Sequence, residues 1–325
     1  MVTTNAQTSG ISIDKKTLKS LMRRSDRPGL LYLSGWTILL FTFGLLLWLS
    51  LGSYWVILTM LIYSVFFAVP AYAFSHECAH GTAFRTRWLN ETIFWITSLL
   101  YFEEPLHRRY AHASHHTHTW IEGSDAQMPY VSMPLTLWGW IEEVLGLGLY
   151  WHQCKMFVTH SLGNFPTIVR QVTPESELPR MKSYSRIFVA IYIGSAILSY
   201  YMTWYWPLYL IIIPRIVGGP VMNMYILIQH VEMAENQPNI VKSTRSFRTN
   251  WLGRFIYCNM NYHIEHHLYP TVPFFTLPQL SEALGDQLPD QDPGFFKTNV
   301  EVLKVVIART LGRNDQSTLI RQAQR

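Results

Sequence analysis

PGLLYLSGWTILLFTFGLLLWLSLGSYWVILTMLIYSVFFAVPAYAFSH, residues 28–76, contains no Asp, Glu, Lys or Arg. A helix that crosses a bilayer needs about 20 mostly apolar residues. This stretch is long enough for two, with a break at Leu51-Gly52-Ser53. It reads as a hairpin of Leu30–Ser50 and Tyr54–Phe74. A second run, Ile187–Val231, carries Arg215 as its single charge and breaks near Pro207. It predicts spans at Ile187–Trp206 and Leu208–Gln229. Trp48, Tyr54, Trp55, Tyr205 and Trp206 flank the breaks, where amphipathic rings favour the membrane interface. Four buried helices of a soluble protein are the alternative, but uncharged runs of this length are hard to solvate.

Only 14% of the 325 residues are charged, low for a soluble protein. The basic residues are unevenly placed. Lys15, Lys16, Lys19, Arg23, Arg24 and Arg27 precede the first span; Arg85, Arg87, Arg108, Arg109, Arg180, Lys182 and Arg186 lie between the second and third; Lys242, Arg245, Arg248 and Arg254 follow the fourth. The tight turns carry none. The positive-inside rule then places both termini and both large polar segments in the cytoplasm. The polar, basic start argues against a signal peptide. The net charge of +5 follows from this asymmetry and gives no support to nucleic-acid binding. Cys78, Cys154 and Cys258 form no C-x-x-C pair, which excludes a disulfide framework and an iron–sulfur motif.

The 13 histidines cluster at the predicted cytoplasmic side. His76 and His80 form HECAH. His107, His112, His115, His116 and His118 lie in LHRRYAHASHHTHT. His230 ends the fourth span, and His263, His266 and His267 lie in NMNYHIEHHLYP. Residues i, i+3 and i+4 of a helix share a face. His76 and His80 can point at one ion. In each H-x-x-H-H box the i and i+4 rings can share one ion while the i+3 ring turns to a neighbour. A zinc takes three or four protein ligands, so nine rings suit two ions. Imidazole favours iron, copper, zinc or nickel over magnesium or calcium. His152 and His160 fall outside the clusters and read as structural; His107 and His118 flank the second box as candidate extra ligands.

Two other functional classes compete. HECAH matches the H-E-x-x-H helix of zinc metalloproteases, with Glu77 as general base, but a protease has no use for two further boxes. A metal transporter would hold its site near the bilayer midplane rather than at one face.

The boxes HECAH, HASHH and HIEHH, in this order around two membrane hairpins, followed by EHHLYPTVPFFTLPQL, resemble the membrane fatty acid desaturase and hydroxylase superfamily over roughly Leu30–Pro278. The resemblance implies an all-α integral membrane protein with four transmembrane helices in two hairpins and a cytosolic helical cap around a di-metal site. It implies two iron ions, cycling between Fe2+ and Fe3+, with O2 as co-substrate. By similarity, His76, His80, His112 and His116 serve one iron. His115, His230, His263 and His267 serve the other, with His266 leaning to the first. Some relatives carry an Asn one turn before the late-span histidine; Ile226 stands there in this chain, and Gln229 is the nearest polar side chain. Gln229, Asn259 and Asn261 are candidate extra ligands or supports for the third box, and Arg215 a candidate substrate contact.

The implied reaction is desaturation of a fatty acyl or other lipid-like substrate, with hydroxylation as the alternative. The chain has neither a G-x-G-x-x-G flavin fingerprint nor a haem-binding module. A separate electron donor of ferredoxin, rubredoxin or cytochrome b5 type, with its reductase, is therefore expected to dock on the basic face at Arg108, Arg109, Arg245, Arg248 and Arg254. The expected organisation is a basic tail, 1–29, one membrane domain, 30–312, and a disordered tail, 313–325.

Overall fold

The structure, a computed structural model, describes residues 9–128 and 133–313. Nearly all of the expected C-terminal tail therefore lies outside the described residues. The described chain is helical, with one isolated bridge between Phe247 and Asp292. Three helices are long and apolar enough to cross a membrane: α2, Asp26–Ser50; α3, Trp55–Ala79; and Leu208–Leu227. A short amphipathic helix α1, Lys15–Leu21, precedes them.

α2 is inside-out by the standard of a soluble protein. It presents Leu31, Ile38, Phe41 and Leu49 outward and buries Tyr32, Trp36 and Leu47. α3 packs beside it, and its 25 residues span about 37 Å at 1.5 Å per residue. That exceeds the roughly 30 Å hydrocarbon layer, so its last turns reach beyond the apolar zone. Those turns carry His76.

The third apolar helix begins as a π-helical turn, Leu208–Ile212, and continues as α10, Ile213–Leu227. It packs more extensively against α3 than any other pair of elements does. Gly218 makes this possible, since a Cβ there would lie 2.1 Å from the Ser64 carbonyl oxygen.

Prolines inside these helices free backbone carbonyls, which an apolar layer cannot hydrate. Pro70 offers no N–H to Phe66, and the Trp36 indole donates to that carbonyl at 2.8 Å. Pro214 likewise leaves Leu210, whose carbonyl accepts from the Tyr63 hydroxyl at 3.0 Å. In both cases a neighbouring helix supplies the missing donor.

The expected third span falls on a helix with different bounds. Its helix, α9, runs Leu178–Tyr201, so it takes in the charged turn Arg180–Arg186 and stops short of Trp206. Its apolar part is too short for it to count among the membrane-length helices.

The remaining elements build the polar end. They are α4, Arg87–Tyr101; α5, Pro105–Thr117; α6, Leu137–Leu145; α7, Leu147–Leu162; α8, Thr167–Val172; α11, Ile240–Ser243; α12, Trp251–Ile256; α13, His263–Leu268; α14, Leu277–Leu284; and α15, Phe295–Thr310. α15 buries Val302 and Val306 against Leu135, Val144, Leu227 and Val231, and Arg309 pairs with Glu232. Asp26 accepts from the Thr86 backbone N–H at 2.8 Å and its hydroxyl at 2.7 Å. This ties the start of α2 to the loop after His80.

Candidate metal centre

Each box is placed by its own local device. His76 ends α3 and His80 caps it. α5 starts where Glu104 accepts from the backbone N–H groups of Leu106 and His107, with Pro105 in the first turn, where its missing N–H costs nothing. α13 is a short helix that contains the whole third box, and His230 follows the end of α10.

The nine rings form two groups. His76, His80, His112, His116 and His266 each bring one nitrogen within 4.8 Å of the others, and so do His115, His230, His263 and His267. In the first group Nε2 of His112 lies 2.9 Å from that of His80 and 3.0 Å from that of His116, which is 3.1 Å from that of His266. In the second, His263 Nε2 lies 3.0 Å from His230 Nε2 and 3.1 Å from His267 Nε2.

The other side of the rings fixes their tautomers. His115 Nδ1 donates to Asp125 Oδ2 at 2.8 Å, and His230 Nδ1 to the Ser243 carbonyl at 2.9 Å. Neither acceptor carries a proton, so both Nδ1 atoms must. His112 Nδ1 lies 2.8 Å from Gln127 Oε1, and His267 Nδ1 lies 3.1 Å from the Thr119 hydroxyl, which itself donates to the His115 carbonyl. In the neutral, metal-binding form of these rings, Nε2 of His115 and His230 is then the lone-pair nitrogen.

Burial, reinforced by neighbouring rings, pushes His112, His116, His263 and His267 well below the ordinary histidine range. Burial foremost takes His80 and His230 down to about 3. Neutral imidazole is the metal-binding form. Neutral lone pairs crowded at about 3 Å repel one another unless a cation lies among them. His76 Nε2 is buried with no hydrogen-bond partner among the described residues. The donor set fits metal ions.

The acids of the boxes turn away from the rings. Glu77 accepts from the Thr82 hydroxyl at 2.5 Å and from the Phe274 backbone N–H at 3.1 Å. It clasps the loop after the third box and is not poised as a base beside His76 and His80. Glu265 accepts from Ser246 at 2.5 Å and from Ser281 at 2.6 Å.

Several candidates stand apart from the two groups. His118 is exposed, and His107 lies across a cavity wall toward His160. Asn259 donates to the Phe274 carbonyl and Asn261 to the Phe247 carbonyl, so both amides brace backbone beside the third box. Gln229 Nε2 reaches toward the Met260 carbonyl at 3.4 Å. Arg215 is buried, with Nε donating to the Tyr101 carbonyl at 2.9 Å and Nη1 to the Tyr150 hydroxyl at 2.7 Å, in a clamp between both rings.

Arg108 and Arg245 are corrected as docking residues. Arg108 is buried against Glu103, Tyr72 and Tyr101, and Arg245 against Asp292. Arg248 is exposed, and Arg109 and Arg254 are partly so.

Asp125, Gln127 and Thr119 were not singled out in the sequence. Their only signal is a polar stretch after the second box, indistinguishable from a solvated loop.

A cavity of about 130 Å³ opens against the rings. His76, His112, His115, His230 and His263 line it together with Tyr72, Tyr101, Glu103 and Asn223.

A search of curated proteins returned no match to the chain. The family model described as fatty acid desaturase matches residues 53–299, an interval that holds all three boxes and His230. With this match, the membrane-length helices and the paired histidine groups, the chain belongs to the fatty acid desaturase family and is an oxidoreductase enzyme of the desaturase–hydroxylase type.

Proposed function

We propose that the chain is a di-iron, O2-dependent desaturase of a fatty acyl or other lipid-like substrate. The observation that carries the reading is the division of nine imidazoles, eight buried and His80 partly so, into two adjacent groups of convergent ring nitrogens. One iron would be held by His76, His80, His112, His116 and His266, and the other by His115, His230, His263 and His267. An imidazole shell suits iron, and the bound pair would supply O2 reduction and the oxidising power to attack an unactivated C–H bond.

The protein's own residues do the rest. Asp125, Gln127, Thr119 and the Ser243 carbonyl orient the rings. Glu77 and Glu265 lock the first and third boxes to their surroundings. Tyr72 and Tyr101 line the cavity where a substrate carbon would have to be held close to the centre.

Four spans with both termini and the site on the cytoplasmic side remain our proposed topology, supported by the basic residues on that side. α9, whose 24 residues extend about 36 Å at 1.5 Å per residue, would then be the remaining crossing. Residues 30–312 would act as one domain. Electrons would come from a separate one-electron carrier docking near the exposed Arg248 and partly exposed Arg109 and Arg254.

The test is metal content after gentle detergent purification from iron-supplemented cells. About two irons per chain, lost in His115→Ala and His267→Ala, are expected, with an unsaturated product on incubation with donor and O2. A single zinc kept in those variants and lost in His76→Ala would overturn the reading. Products that are all alcohols would overturn desaturation alone.

A further inference from the structure

Beside the main cavity lies a second, smaller one. It is lined by Phe102, Glu103, Glu104, His107, His152, Gln153, Met156, Phe157 and His160. Glu103 and His107 line both cavities, and the larger one reaches His76 and His112. The smaller measures about 10 Å³, roughly the least that admits one water molecule.

Part of its polar lining is unsatisfied among the described residues. Gln153 Nε2 and Oε1, His160 Nδ1 and Nε2, and His107 Nδ1 are buried and have no hydrogen-bond partner among the described residues. Gln153 is 5% exposed and His160 fully buried. Each such group left dry costs about 1–3 kcal/mol. These atoms belong to three residues that line one small space, and a polar chamber of this size is where a structural water resides. His107 and His160 face each other with ring centroids 5.7 Å apart, and His152, half-buried, lies on the outer wall.

We propose that this chamber is hydrated and that its water, with His107 and His160, relays protons from the His152 side into the histidine-lined cavity. This rests on the oxidase reading above. Desaturation takes two hydrogens from the substrate and reduces O2 to two waters. It draws two electrons from the carrier and two protons from solvent; hydroxylation draws the same electrons and protons. Those protons must reach a largely buried set of rings, and this chamber adjoins the cavity the rings line. Burial brings both His107 and His160 down to about 3. Each ring is therefore neutral, with one donor and one acceptor nitrogen, as a relay requires.

Radiolytic hydroxyl-radical footprinting of the full chain in detergent tests the hydration. Met156 is buried and lines the chamber; Met181 is buried in the same apolar cluster and does not. Met156 should be labelled several-fold faster than Met181, and the difference should vanish in Gln153→Leu/His160→Leu. In iron-loaded enzyme the double variant should form about 100-fold less product per electron consumed, the low end of what positioned proton-transfer groups contribute, with iron content unchanged and the solvent isotope effect altered. Gln153→Leu alone serves if the double variant does not fold, and the wild-type footprint needs no variant. Equal labelling of Met156 and Met181 would show a dry chamber and overturn the proposal. Labelling that vanishes while turnover stays fully coupled would overturn the relay. Wild-type protein without iron would sink the oxidase reading and with it the relay, leaving the footprint to decide the hydration.

Discussion

Asp125→Ala should loosen both halves of the metal centre through a residue that touches no metal. Asp125 Oδ2 accepts from His115 Nδ1 at 2.8 Å and from the Trp120 backbone N–H at 2.9 Å. Its Oδ1 accepts from the Gln127 backbone N–H at 2.8 Å, and Gln127 in turn meets His112 Nδ1. One carboxylate thus holds a ring of the second group directly and a ring of the first through one intermediary. Burial opposes its charge, but the His115 ring and the donated hydrogen bonds outweigh this and keep Asp125 below the usual carboxylate range. Supports of this kind change metal affinity by about 10–100-fold when removed, or about 1.4–2.7 kcal/mol. The loss should fall more on the His115 group. Gln127→Leu, by contrast, should weaken only the group containing His112. The assay is competition with a graded ferrous chelator, following iron per chain. Two irons retained at wild-type affinity in Asp125→Ala would refute the reasoning, as would loss confined to the His112 group.

Three further outcomes are expected. Trp36→Phe should cost about 1–3 kcal/mol by orphaning the Phe66 carbonyl that Pro70 leaves free; in a Pro70→Ala background the cost should shrink, and a thermal double-mutant cycle in detergent measures the difference. Glu77→Ala should lower the melting temperature by freeing the Phe274 loop while iron stays bound, and metal analysis beside a melting curve checks both. Gly218→Ala should destabilise by about 1–3 kcal/mol or more through overpacking, since its Cβ would press on the Ser64 carbonyl; a melting temperature unchanged from wild type would show that α3 and α10 can separate at little cost.

The sequence by itself determined the apolar character of the helices and the identity of the clustered rings. Both signals are local. An uncharged run is a property of consecutive residues, and H-x-x-H-H sets a shared helical face without reference to any partner. The bounds of the helix on the third apolar run are not local, because a helix boundary depends on neighbours. α9 continues through Arg180–Arg186 and stops at Tyr201, whereas hydropathy alone drew it from Ile187 to Trp206.

Only the tertiary structure decided which acceptors fix the rings. Asp125 lies ten residues beyond His115, and Ser243 thirteen beyond His230; no periodicity links them. It also turned Glu77 from a candidate base into a clasp on Phe274, buried Arg108 and Arg245 within ion pairs, and gathered His107, Gln153 and His160 around one small chamber. The physical reason is common to all of these. A side chain's residue type fixes what it can donate or accept, but its partner is set by how distant segments pack, and burial then makes that pairing matter.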